Sequence, residues 1–504
     1  MNLSDQKLDD LLKKIDLSDG HRGYYTFETF ILNLLKVHLE KTNKPFLSQP
    51  RRIGFDAYAP EGIEDINEAT QIEIKFNLER ISPLRLIDQI IHIQSKIQER
   101  EPFTNLLFIT PNPISSKFRN FFAHRFDEHK LPFKITIWGP EEINKIVAKN
   151  RKEANDIANN LFSLRIESAV VQSSKDWKKE REEKIELLNR LYKKGQFSFF
   201  LGAGVSSSAG MPDWNTLLNS LFVTYLTNEF DNESKIMDSD INQIVNRLNE
   251  IDEPSALMAA RYLRKGLDNR NTESEEFTKT ITQNLYKLRD ESKRIESELI
   301  KSIVEMCMPL RTGAKIKSVI TYNFDDLIER QLEAQSIQHH SIYTDNDFID
   351  PDELPVFHVH GFLPENTEAY ESLDKSTLVF SEEGYHLIYS DSYHWSNLVQ
   401  LSNLRDNNCL MVGLSMTDPN LRRLLDIASR NSDKTRHFAF MKRLTVDSFT
   451  HIKDKQVIDN IDGAKKFLDR HHNLNEEIMR ELGVSIIWYT DYNEIPKMLR
   501  EIKK

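Results

Sequence analysis

Phe197-Ser198-Phe199-Phe200-Leu201-Gly202-Ala203-Gly204-Val205-Ser206 is the stretch on which the fold turns. Its first five residues form a short apolar run of strand length. The two glycines that follow let a backbone come close to a phosphate, and a helix starting there would add N–H groups and positive potential. The helix expected next is amphipathic and carries Trp214, Leu217, Leu218, Leu221 and Phe222. Taken alone, the turn also reads as a plain strand-to-helix junction. The dinucleotide pattern Gly-x-Gly-x-x-Gly is not completed, because Ser207 stands where the third glycine belongs.

Working outward, further strand signals lie at 318–322, 356–360, 409–412, 437–440 and 484–489. Helical patterns separate most of them, and this alternation predicts a parallel sheet covered on both faces. Residues from about 216 to 306 are polar, charged and helix-rich, and are read as an insertion. Upstream, Asp176 to Lys184 is a charged run without glycine or proline. It predicts a solvated helix that bridges two units or opens the second.

The first third reads as a smaller α/β unit. Phe27, Phe30, Ile31, Leu34 and Leu35 share one helical face between Thr26 and Leu39. Gln71 to Phe76 alternates as a half-buried strand does, Leu86 to Ile97 is helical, and 106–110 and 134–138 read as strands. The expected division is 1–170 and 171–504.

Composition narrows the classes. Of 504 residues, 39% are hydrophobic and 29% charged, a globular balance. A net charge of −11 excludes a global basic field for nucleic acid but not a local basic groove. Two distant cysteines, Cys307 and Cys409, exclude a disulfide scaffold and a four-cysteine zinc module. The N-terminus carries no apolar signal segment, and no apolar run approaches the roughly 20 residues that span a bilayer. A soluble cytoplasmic protein is expected.

Three more segments join the glycine turn. They are Gly210-Met211-Pro212-Asp213, Thr321-Tyr322-Asn323-Phe324-Asp325, and His358-Val359-His360-Gly361. Asp325 or Asp326 is placed as a helix N-cap, and in a continued strand His358 and His360 would share a face. In this order, the four segments resemble the sirtuin superfamily, and Gly413-Leu414-Ser415 resembles that family's later Gly-Thr-Ser, which contacts the adenosine side of NAD. The resemblance implies a Rossmann-like NAD-binding domain over 171–504. It also implies that Asn323 and His360 are catalytic, and that Gly202, Ala203, Gly204, Ser206, Asp213, Asp325, Gly413 and Ser415 bind the dinucleotide.

The departures from the family matter. Deacylating sirtuins hold a structural zinc on two Cys-x-x-Cys pairs, which this chain lacks. It looks like the bacterial sirtuin-like branch of antiphage defence, which hydrolyses NAD. Such activity must be gated, so the resemblance implies a homo-oligomer, and in some relatives a HerA-type hexameric ATPase partner. Losing a base such as His360 should slow cleavage about 10²–10⁴-fold.

In the first unit, Glu73 and Lys75 share one face of a strand, with Asp56 and Glu28 nearby in the pattern. Carboxylates and a lysine in this order can hold a divalent ion and activate water. The order resembles the PD-(D/E)xK restriction-endonuclease superfamily, in particular its Mrr-like members, although no proline precedes Asp56. It implies Mg²⁺ on Asp56 and Glu73, with Glu28 as a further ligand or orienter, and DNA as a partner. A Mg²⁺-dependent nuclease regulated by nucleotide binding is therefore the alternative to NAD hydrolysis. Arg51-Arg52 could meet a phosphate backbone, while His339-His340 and His471-His472 read as surface pairs.

Overall fold

The computed structural model describes residues 21–48, 55–76, 78–80, 86–87, 90–91, 101–120, 124, 132–161, 164, 176–213, 216–218, 220–221, 243, 274–345, 350–379, 382–430, 435–452 and 455–504. The chain divides into one unit of Met1–Lys175, Ser429–Thr435 and Ile458–Gly483, and another of Asp176–Ala428, Arg436–Val457 and Val484–Lys504. Among the described residues no helix is long and apolar enough to cross a membrane. Arg51-Arg52, Gly54, Trp214, Phe222 and most of the expected helix 86–97 lie outside the described residues.

In the first unit the predicted apolar face belongs to α1 (His21–Lys41), where Phe27, Phe30, Ile31, Leu34 and Leu35 are buried. The sheet runs β1 (Leu47–Ser48), β2 (Ala57–Ala59), β3 (Thr70–Ile74), β4 (Asn105–Ile109), β5 (Lys134–Trp138), neighbours in that order. β2 pairs antiparallel with β1 and β3, whereas β3, β4 and β5 are parallel. Helices α1, α2 (Pro140–Lys149) and α3 (Arg151–Asn159) share a core with Ile72, Ile74, Leu107 and Ile109. Phe55, Phe103, Leu106 and Phe108 build a second core. β3 is thus covered on both faces, and the half-buried strand expected from its alternation is corrected. Its polar residues are buried with partners beyond the strand: Thr70 donates to Glu68 O, Gln71 donates to Glu101, and Glu73 pairs with Lys75.

A late helix, Ile461–Glu481, also belongs to this unit and packs on α1. The Arg480 guanidinium lies over the Tyr25 ring, 5.5 Å from its centre. His472 on that helix is buried, so the surface reading of His471-His472 fails for its second member.

The second unit opens with α4 (Trp177–Lys194). Asp176 caps it by accepting from the Lys178 and Lys179 amides, and Gly195 ends it at φ +75°. Its Ile185, Leu188 and Tyr192 are buried, so the charged run is one side of a packed helix. Next come β6 (Phe197–Leu201), α5 (Ala203–Ser208), α6 (Ser274–Lys287), α7 (Glu298–Cys307), β7 (Ile316–Thr321) and α8 (Leu327–Ala334). They are followed by β8 (His339–Ile342), β9 (Leu354–His358), α9 (Glu382–Ser390), α10 (Trp395–Asp406) and β10 (Asn408–Val412). The last are α11 (Pro419–Ser429), β11 (His437–Lys442), a small hairpin of β12 (His451–Ile452) and β13 (Lys455–Gln456), β14 (Val484–Tyr489) and α12 (Glu494–Lys503).

Seven strands form one parallel, Rossmann-like sheet in the order β14-β11-β10-β6-β7-β9-β8. The apolar runs behave as predicted: β6 is buried throughout, as strands covered on both faces are. From central β6 the chain first builds the sheet through β7 to edge strand β8. It then returns to β10 on the other side. Ligands in such sheets bind beyond the strand C-termini, at the point where the order reverses.

Candidate active site

The turn after β6 is shaped by its neighbour after β10. Gly202 N–H donates to Val412 O, Gly204 N–H to Gly413 O and Val205 N–H to Gly202 O, each at 2.9 Å. A Cβ on Gly202 would meet Gly413 O at 2.7 Å, and one on Gly204 would meet Gly413 Cα at 2.8 Å. The two glycines therefore serve the close approach of two loops, with Gly413 itself at φ +71°. The short α5 starts directly at this turn, ahead of the expected helix, whose Leu217, Leu218 and Leu221 are buried. Ala203 is exposed at its start, and Ser206 is buried.

Asn323 follows β7 and is buried. Its Nδ2 donates to Gly202 O at 3.1 Å, and its backbone N–H donates to Thr321 Oγ1. That bond takes one of the two amide hydrogens, so the side chain can address a ligand through its second N–H as donor or through Oδ1 as acceptor. Asp325 is buried beside it. Burial pushes its carboxyl up to about 6, with the Ser206 hydroxyl and the Leu327 amide as opposing hydrogen-bond donors. Of the two cap candidates, Asp326 occupies the N-cap of α8 without a side-chain cap bond. Its carboxylate instead accepts from Tyr286 and pairs with Arg330. Asp213 is exposed and accepts from the Thr216 amide at 2.8 Å, which orders the loop after Gly210.

His358 and His360 part company, which corrects the shared face. β9 ends at His358, and Val359 to His360 turns, with Gly361 at φ +106°. His358 is fully buried, and its Nε2 lies 2.7 Å from Glu329 Oε1. Burial pushes Glu329 up, but the adjacent imidazole outweighs it and holds the carboxyl below its usual range. His358 also reaches Asn323 O through Nδ1 at 3.2 Å, so it braces the loop that carries Asn323.

His360 sits between aromatic rings, 4.6 Å from Tyr322 and 5.8 Å from Tyr385, both edge-on. Its Nε2 is 3.8 Å from Asp418 Oδ2. Burial lowers the imidazole's pKa, and the Asp418 charge opposes this. Neutral imidazole, the form that accepts a proton, is thereby favoured. Asp418 and Tyr385 were not read from the sequence. The signal available was Asp418-Pro419, an N-cap residue followed by the first-turn proline of α11. Ser415 is exposed, its Oγ 2.6 Å from Thr417 Oγ1.

Asn323, Gly202 and Gly413 thus meet at adjacent strand ends, and Val359 N–H donates to Thr321 O at 3.1 Å, tying the His360 loop to the same edge. The arrangement offers an amide acceptor, a buried neutral imidazole and a tight glycine floor.

In the first unit, Glu28, Asp56, Glu73 and Lys75 are all buried. Burial and the charges of Asp56, Glu28 and Glu73 together raise Tyr24 well above its ordinary pKa, so three carboxylates surround one hydroxyl. Lys75 Nζ lies 2.9 Å from Glu73 Oε1, and Asp56 Oδ2 accepts from Ile74 N–H at 2.6 Å. These contacts involve one oxygen each of Glu73 and Asp56. Among the described residues no group of three or more His, Cys, Asp or Glu is arranged to hold a metal ion.

The family model described as SIR2-like domain matches residues 317–459, a span that contains Asn323, His360, Gly413 and Asp418. The chain is 23% identical over 325 residues to the NAD(+) hydrolase ThsA of Enterococcus faecium. The match takes in 64% of this chain but 58% of that protein's length. The C-terminal region is therefore SIR2-like, and the two findings together support kinship with the sirtuin-like NAD hydrolases.

Proposed function

We propose that the second unit hydrolyses NAD at its nicotinamide–ribose bond, as an antiphage-defence effector that depletes NAD once activated. The observation that carries the reading is the placing of Asn323 and His360 on one sheet edge, beside the Gly202–Gly413 loops. A cationic nicotinamide needs no acid to leave. The site must hold the ribose, exclude other nucleophiles and present one water. Asn323 Oδ1 accepts from the ribose or the water, and His360 takes the proton. The wall of buried Tyr322 and half-buried Tyr385 excludes stray water around the imidazole.

Ala203 and Gly204 line the diphosphate from the glycine turn, while Ser206 acts through Asp325. Gly413 and Ser415 lie toward the adenosine side, and Asp213 orders its loop. Activity is gated by self-assembly or by a partner, such as a HerA-type hexameric ATPase or DNA. In purified protein incubated with NAD, Asn323→Ala and His360→Ala should each slow nicotinamide release by about 10²-fold or more. Release at the wild-type rate in either variant would overturn the site.

A second reading makes the first unit a Mg²⁺-dependent endonuclease. The buried Glu73–Lys75 pair beside Asp56 favours it. Asp56 and Glu73 would be the residues to hold the ion, which when bound would supply an activated water.

A further inference from the structure

Among the described residues, the buried His360 Nε2 has no hydrogen-bond partner. Such an atom costs free energy unless something satisfies it when the site works. Asp418 is the carboxylate that faces it, at 3.8 Å. This carboxylate is held from two sides. Tyr385 donates its hydroxyl to Oδ2 at 2.6 Å, and the Leu421 amide donates to Oδ1 at 2.7 Å. The second bond is a helix cap, so the backbone of α11 fixes where the acceptor sits. Catalytic hydrogen bonds are often long before substrate binds, and closing this one needs a movement of about an ångström. Among the described residues, the other titratable groups facing the imidazole are Tyr322 from the end of β7 and Tyr385 from α9.

We propose that Asp418, steadied by Tyr385, is the positioning residue of His360: it accepts the Nε2–H, fixes the tautomer with its lone pair on Nδ1, and stabilises the imidazolium formed during the reaction. The inference rests on NAD hydrolysis as proposed above. In the step it serves, water oxygen bonds to the ribose C1′ while the C1′–nicotinamide bond breaks. The electron pair goes to the pyridine nitrogen, which leaves neutral. The water's proton passes to Nδ1 and is later released to solvent. Asp418 touches no reacting atom.

The test uses the full chain with Asp418→Asn and Tyr385→Phe. In Asp418→Asn the Leu421 cap keeps the amide oxygen on its side, so an NH₂ group faces His360 and disfavours the Nε2–H tautomer. We expect kcat for NAD to fall about 10²–10⁴-fold, as a wrongly set base does. KM should change by less than about threefold. Histidine-selective ¹⁵N and ¹³C labelling, with His360 assigned from His360→Gln, then reads the tautomer directly. The proton moves from Nε2 to Nδ1, and the His360 titration midpoint falls. In Tyr385→Phe the carboxylate loses one donor and becomes the better acceptor, so the midpoint rises. Opposite movements in two variants do not come from loss of folding. Unchanged kcat, tautomer and midpoint in Asp418→Asn, with active wild type, would overturn the pairing alone. A wild-type chain that leaves NAD intact, alone and with DNA or an ATPase partner, while Asp418→Asn still switches the His360 tautomer would overturn the hydrolase reading and leave the pairing standing.

Discussion

Asn323 and His360 were legible because a residue type at a strand end is a local signal, carried by Thr321 to Asp325 and by His360-Gly361. Asp418 was not, because its partner lies 58 positions away in the chain, at His360, and only folding brings the two together. Asp325 shows how such placement changes chemistry. Its carboxyl titrates near 6 when folded, against 3.8 ordinarily, with burial as the cause. The protonated form is thus favoured by folding. That contribution is fully present below about pH 4 and is lost as pH rises through about 6, on the order of 3 kcal/mol. Asp325→Asn keeps an oxygen for the Leu327 amide and removes the charge. The melting temperature of the wild type should therefore fall between pH 5 and 7.5 by more than that of Asp325→Asn, when both are followed by calorimetry. Parallel pH curves for the two proteins would refute a raised Asp325.

Elements whose apolar run is dense were readable: β4, β6, β10, β11 and β14 all lie within or beside the runs that predicted them. β8 was not, because His339-His340-Ser341 is polar, as befits an edge strand whose sides are half-exposed. α5 was missed because six residues are too few for a periodic pattern. The glycine turn was recognised, but its reason was not fully visible. The sequence suggests room for a phosphate, whereas the fold places Gly413 backbone where a Cβ on Gly204 would go. Backbone cannot step aside as a flexible side chain does. Gly204→Ala should thus force the β6 and β10 loops apart and cost about 1–3 kcal/mol. That is a melting point lower by several degrees in a unit of this size, with a raised KM for NAD. A variant that melts with the wild type would mean that the two loops separate freely.

At the scale of the whole chain, the pattern of strands and helices predicts two sheets but not which helix goes with which. Ile461–Glu481 follows the strands of the second unit in sequence yet packs in the first, against α1, with Arg480 over Tyr25. An amphipathic helix announces that it has an apolar face, not whose core that face will join. A cut at residue 175 would therefore strip the first unit of a helix and expose that helix on the second. For this reason the two candidate sites are best separated by point changes in the full chain. Truncating one member of the buried Glu73–Lys75 pair would unbalance the charges buried there and cost about 3–5 kcal/mol. Replacing both by neutral residues of similar shape avoids that penalty. Glu73→Gln combined with Lys75→Met should leave NAD hydrolysis at the wild-type rate, and chelation of divalent ions should leave it there too, since Asn323, His360 and Asp418 belong to the second unit's own sheet edge. Mg²⁺-dependent nicking of plasmid by the wild type that disappears in this double variant would raise the nuclease reading beside the hydrolase. NAD hydrolysis that disappears with it would mean that the second unit does not work alone.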